Sequence, residues 1–111
     1  SRHMFSYVAD ADFSGGAMLS MERAAQELYK KTGIKEPLKE IDVIEMYQPF
    51  SWAGLIWIED MGLCKKGEGA KLVWDGVTDL GGELPINPSG GVVSTNPIGA
   101  TGLIRALIAA L

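Results

Sequence analysis

From Asp75 to Gly102 the chain reads DGVTDLGGELPINPSGGVVSTNPIGATG, a stretch dense in glycine and cut by Pro85, Pro88 and Pro97. Proline removes a backbone donor and glycine loses the most freedom on ordering, so from Gly76 to Gly102 the chain reads as loop. Irregular segments this long inside a compact domain are usually functional or disordered. Regular structure must therefore come from the flanking sequence.

Upstream, residues 5–13, FSYVADADF, mix apolar and acidic groups and read as a short strand or an entering loop. From Ala17 onward, Met18, Met21, Ala25 and Leu28 recur at helical spacing, with Ser14 as candidate cap and Gly33 as stop. Glu22, Arg23, Glu27, Lys30 and Lys31 form its solvated face. Ile41 to Tyr47, IDVIEMY, predicts a buried strand that ends at Gln48-Pro49. SWAGLIWIEDMG then predicts a mostly buried helix of about three turns, capped by Ser51 and stopped by Gly62. A short strand is predicted around Leu72 to Trp74, and an apolar helix from Ala100 to Leu111.

This order implies an α/β layered fold. With 111 residues, only one domain or part of one is present. Two or three strands are few for an independent sheet, so the chain is expected to be a piece of something larger.

Hydrophobic residues make up 47% of the chain and charged ones 22%, as in globular proteins. The net charge is −4, and no basic run exceeds the pairs Lys30-Lys31 and Lys65-Lys66, which argues against nucleic acid as partner. A single cysteine, Cys64, excludes an internal disulfide and cysteine-cluster metal sites. No apolar run is long enough to span a membrane, and a cytoplasmic location is expected. Residues 1–4, Ser-Arg-His-Met, read as a cloning remnant that contains His3, the one histidine. No native histidine is then available as base or ligand, and no metal site is expected.

The glycine-rich segment lacks both GxxxxGK[ST] and GxGxxG. In NPIGATG, Gly99 and Gly102 allow close backbone approach, and the free N–H groups of the following helix could receive an anionic or polarised oxygen. Equally, small residues there could only let the helix pack tightly. Tyr47 stands where a strand gives way to a turn, a ligand-facing place in α/β folds, yet proton transfer would need a pKa well below its usual ~10. It could instead be a core residue with a satisfied hydroxyl. Cys64 precedes two lysines, whose charge lowers a thiol pKa when close to it, but it lacks a base and suits a small buried hydrophobe as well. Asp42, Glu45, Glu59 and Asp60 show no acid/base pairing, and Asp42 and Glu45 would face opposite sides of a strand. Trp52 and Trp57 read as core or interface anchors.

Taken in order, DVIEMYQPFSWAGLIWIEDMGLCKKGEG, DG, GGELPINPSGG and STNPIGATGLIRAL resemble the C-terminal half of the thiolase superfamily, in its sterol-carrier-protein and acetyl-CoA acetyltransferase types. The resemblance runs from about Ser14 to Leu111. It implies a thiolase-like layered fold, one incomplete half with a mixed sheet and packed helices. Residues 5–111 would be the C-terminal domain, truncated before its last strands. It further implies acyl transfer to or from coenzyme A by Claisen condensation or its reverse, with the thioester as substrate and no other cofactor. Its expected partners are acyl-CoA, the missing N-terminal half and further copies or subunits in an oligomer.

By the same resemblance NPIGATG corresponds to a GHPxGATG active-site loop. Thr95-Asn96 replaces Gly-His, while Pro97, Gly99, Ala100, Thr101 and Gly102 match. YQPF occupies the place of NEAF or HDAF, and of these only Phe50 is kept. Tyr47 and Asn96 thus fall at catalytic positions, and Phe50, Pro97, Gly99, Ala100 and Gly102 at substrate-binding ones. Asn96 cannot accept a proton from a thiol, but its amide can hold a water or an oxyanion. The family's cysteines align with neither Cys64 nor any other position here, so the isolated chain is expected to be inactive. Three readings follow: an acyltransferase, a thiolase-like lipid-transfer-protein aldolase using Tyr47 for proton transfer, and a degenerate acyl-CoA-binding subunit. Exposed apolar faces of VIEMY, LIWI and LIRALIAAL are expected to drive self-association.

Overall fold

Six helices and one 3-10 turn carry the chain through residues 19–111, the part that the computed structural model describes. They are α1 (Leu19–Thr32), α2 (Pro37–Glu40), α3 (Ser51–Asp60), α4 (Gly69–Trp74), α5 (Gly91–Ser94) and α6 (Thr101–Ala109), with the 3-10 turn at Ile98–Ala100 just before α6. Residues 1–4, the segment 5–13, and the expected Ser14 cap with Ala17 and Met18 lie outside the described residues.

Helix α1 stops where predicted, with Gly33 at φ 82° and its N–H bonded to the Tyr29 carbonyl at 2.8 Å. It buries Ala25, and the Tyr29 hydroxyl donates to the Met61 carbonyl at 2.9 Å, which ties α1 to the end of α3. Burial at that bond raises the Tyr29 pKa. Helix α3 also ends as predicted, with Gly62 at φ 73° and the Leu63 N–H returning to the Ile58 carbonyl at 3.1 Å. Its start differs: Phe50 holds the extended cap position and Ser51 is already helical, with no side-chain cap bond.

The strand predicted around Leu72 to Trp74 is instead helix α4. Tertiary packing overrides its β-rich composition. The Gly69 N–H donates to Glu59 Oε1 at 2.9 Å, and a Cβ on Gly69 would sit 2.6 Å from the Leu55 carbonyl, so α4 starts directly on the backbone of α3. Leu72 thereby turns to the core while Trp74 is 90% exposed.

Ile41 to Tyr47 runs without helix, but among the described residues it forms one parallel bridge, Ile44 to Ile86, and no longer strand. The mixed sheet that was expected is not found there. Ile44 donates to the Pro85 carbonyl at 3.0 Å and accepts from the Asn87 N–H at 2.7 Å. Beyond this pair the partner segment cannot continue a ladder, because Pro85 and Pro88 carry no donor and Asn87 turns left-handed at φ 53°. The Asn87 side chain takes over, accepting the Met46 N–H on Oδ1 at 2.7 Å.

Around this bridge Met46, Ile58, Leu63 and Leu84 form the buried core, joined by Ile44, Trp57, Leu72 and Ile86. The segment read as loop from Gly76 to Gly102 therefore also supplies core residues and the short helix α5. On α6, Leu103 and Leu107 lie one turn apart and exposed, while Arg105 is buried. Among the described residues no helix is long and apolar enough to cross a membrane.

Candidate functional site

Arg105 is the one charge in LIRALIAAL, and its guanidinium joins three segments that the chain brings from far apart. Nη1 donates to Glu45 Oε2 at 3.1 Å and to the Ser89 hydroxyl, and Nη2 donates to the Thr95 carbonyl at 3.0 Å. Ser89 in turn donates its N–H to Glu45 Oε1 at 2.9 Å and its hydroxyl to Oε2 at 2.8 Å. Side-chain exposure is 3% for Arg105 and 0% for Glu45. The buried Arg105 Nε has no hydrogen-bond partner among the described residues.

Burial works to raise the Glu45 pKa, but hydrogen bonds from Ser89 and Arg105, with the arginine charge, outweigh it and hold the carboxyl below the usual range. Glu45 is thus a fixed anion. Asp42 is exposed, as opposite strand faces would have it. Spacing along the sequence did not reveal this pairing; the signal was a lone arginine inside an apolar helix, a residue type rarely buried without a partner.

Tyr47, two residues past Glu45, is 39% exposed, and among the described residues no hydrogen bond holds its hydroxyl. Phe50, 58% exposed, stacks on Trp52 with centroids 5.8 Å apart. Trp52 is thereby a surface residue, whereas Trp57 packs on the core. Gln48 Oε1 accepts from Asn87 Nδ2 at 3.3 Å. Gln48 and Ser51 are shared by two cavities: one of about 330 Å³ reaches toward Asn87 and Gly90, and one of about 500 Å³ reaches toward Leu55 and Val73. Tyr47 and Asn96 line neither.

In the loop before α6, Asn96 is exposed and its Oδ1 accepts from the buried Thr101 hydroxyl at 3.0 Å. That bond leaves the amide nitrogen as the donor it presents. Ile98 holds φ 33° while 80% exposed, a costly conformation for a β-branched residue. Pro97, Gly99, Ala100 and Gly102 are exposed as well. Nothing lies within 4 Å of a Cβ built on Gly99 or Gly102. Among the described residues, tight helix packing therefore does not explain these glycines. Helix α6 begins without a side-chain cap.

The expected site residues thus occur on two exposed segments, which the buried Glu45–Arg105–Thr95 connection fastens together. Cys64 takes no part: burial first, then the charges of Glu59 and Glu68, push its thiol pKa up despite Lys66. The lysines do not activate it. Among the described residues no cluster of histidine, cysteine, aspartate and glutamate could hold a metal.

The family model described as thiolase C-terminal domain-like matches residues 6–111. The chain belongs to this thiolase family. It is 41% identical over 102 residues to sterol carrier protein 2 of Bos taurus, covering 86% of the chain and 18% of that protein. Identity to an acetyl-CoA acetyltransferase of Methanothermobacter thermautotrophicus is 43% over 68 residues, 60% of the chain and 18% of the relative. Against the benzoylsuccinyl-CoA thiolase subunit BbsB of Thauera aromatica it is 39% over 82 residues, 73% of the chain and 21% of the relative. The thiolase-family chain spans about a fifth of the length of these curated relatives.

Proposed function

We propose that this chain forms part of a thiolase-type acyl-CoA acyltransferase of the acetyl-CoA acetyltransferase kind, acting by thiolysis of a 3-ketoacyl-CoA or the reverse Claisen condensation. The observation that carries the reading is the open space that the described residues leave above Gly99 and Gly102, on an exposed loop whose Ile98 is strained. Glycine in a helix is roughly 0.5–1 kcal/mol less stable than alanine, so Gly102 costs stability without any described neighbour occupying the empty space beside it. A bound thioester is what fills it. Asn96 then offers its amide nitrogen, and the uncapped start of α6 its N–H groups, to an oxygen that becomes negative during acyl transfer. Pro97 and Phe50 border the substrate. The nucleophile is taken to come from outside this chain, a reading that the raised thiol pKa of Cys64 supports.

Tyr47 favours a second reading. The side chain of Tyr47, 39% exposed as a residue and on the segment fastened through Arg105 to the Thr95 carbonyl, suits proton transfer in aldol cleavage of an acyl-CoA. The test compares thiolysis of a 3-ketoacyl-CoA with retro-aldol cleavage of a 3-hydroxyacyl-CoA by the full-length protein and its Tyr47→Phe variant. Thiolysis that survives Tyr47→Phe supports the transferase. Retro-aldol cleavage abolished by Tyr47→Phe assigns a lyase, and turnover of neither substrate leaves a non-catalytic acyl-CoA-binding subunit.

A further inference from the structure

We infer that Glu45, Ser89 and Arg105 form a buried clamp whose task is to place the Thr95–Asn96 peptide, making Arg105 and Ser89 positioning residues for the loop STNPIGATG. The inference rests on the reading of that loop as the substrate-facing surface. Its physical basis is independent of the reaction.

Arginine suits the task because its planar fork reaches two partners in fixed directions. One arm is held by Glu45 and Ser89, and the other holds the Thr95 carbonyl at 3.0 Å, the last backbone acceptor before Asn96. Ser89 is itself fixed by both carboxylate oxygens, so the fork has no slack on that side. Among the described residues the loop's other bonds are local to it and its flanks. Ser94 and Thr95 amides bond back to Gly90 and Gly91 at 3.3 and 3.2 Å, the Ser94 hydroxyl donates to the Ser89 and Gly91 carbonyls at 2.9 and 3.2 Å, Ala100 bonds to Pro97 at 3.0 Å, the Thr101 hydroxyl donates to Asn96 Oδ1 at 3.0 Å, and the side chains from Thr95 to Ala100 are exposed. Ile98, at φ 33°, is a conformation that relaxes unless something outside the loop fixes it. The clamp supplies that constraint from the protein interior, and its Glu45 end lies two residues from Tyr47. One ion pair therefore sets the register between both exposed segments.

Amide hydrogen exchange and nitrogen–proton spectra of the 111-residue chain test this with Arg105→Lys and Ser89→Ala. Lysine keeps the charge but cannot fork, and Ser89→Ala removes only the bridging hydroxyl. In both variants the Thr95 and Ala100 amides should exchange about tenfold faster or more, while the Met61 and Leu63 amides stay within about twofold. The Asn96 side-chain resonances should shift as well. Uniformly faster exchange would show a merely structural pair, and unchanged loop amides would show no clamp; either result overturns the inference. If Arg105→Lys fails to fold, Ser89→Ala decides alone. Because no turnover is measured, a failed acyltransferase assignment leaves these outcomes readable.

Discussion

Glu45 and Arg105, 60 positions apart in the chain, meet in an ion pair with side-chain exposures of 0% and 3%. Breaking such a buried pair from one side leaves a charge without compensation, whereas replacing both partners removes the problem. Arg105→Met should therefore lose roughly 3–5 kcal/mol in urea unfolding, and adding Glu45→Leu should recover more than half of it. A single-variant loss below about 1 kcal/mol would put the pair in the class of surface salt bridges.

Acid should weaken the fold through the same carboxylate. Because the folded pKa of Glu45 is depressed, its contribution is present above the unfolded glutamate value of about 4.3 and is lost as pH falls through the folded pKa. The unfolding temperature should drop between about pH 5 and about pH 3, and drop less in Glu45→Gln. Glu40, also lowered, by backbone hydrogen bonds at Glu36 and Lys35, remains in both proteins, so the difference isolates Glu45.

Gly82 tests the turn that carries Leu84 into the core. A Cβ there would lie 2.5 Å from the Val77 carbonyl oxygen and 2.8 Å from its carbon, both backbone atoms that cannot swing away. Gly82→Ala should cost about 1–3 kcal/mol by thermal unfolding. A neutral result would mean that the 76–84 turn is looser than described.

Cys64 should behave as an inert thiol. With its pKa raised by burial and by Glu59 and Glu68, alkylation at neutral pH should be slower than that of a free cysteine, and faster alkylation would contradict the assignment.

Helices α1, α3 and α6 were legible in the sequence because apolar spacing and terminal glycines are local signals. The short helices α2 and α5 were not foreseen, and two segments were read as strands. Leu72 to Trp74 looks β-forming, and only the contact of Gly69 with Glu59 and Leu55 makes it helical. IDVIEMY reads as a strand, but the length of its ladder depends on a distant partner whose prolines and left-handed Asn87 stop it after one bridge. For the site, NPIGATG and YQPF were visible as motifs. The clamp joining them was not, since Glu45, Ser89 and Arg105 come from three separate segments.

The most direct measurement is a Gly102→Ala substitution read twice, as stability of this chain and as kcat/KM for thiolysis by the full-length protein. The space that the described residues leave open at Gly102 predicts stability unchanged or raised by up to about 1 kcal/mol, with kcat/KM reduced about tenfold or more. Lost stability with intact turnover would show that the glycine serves packing and that substrate does not occupy this face.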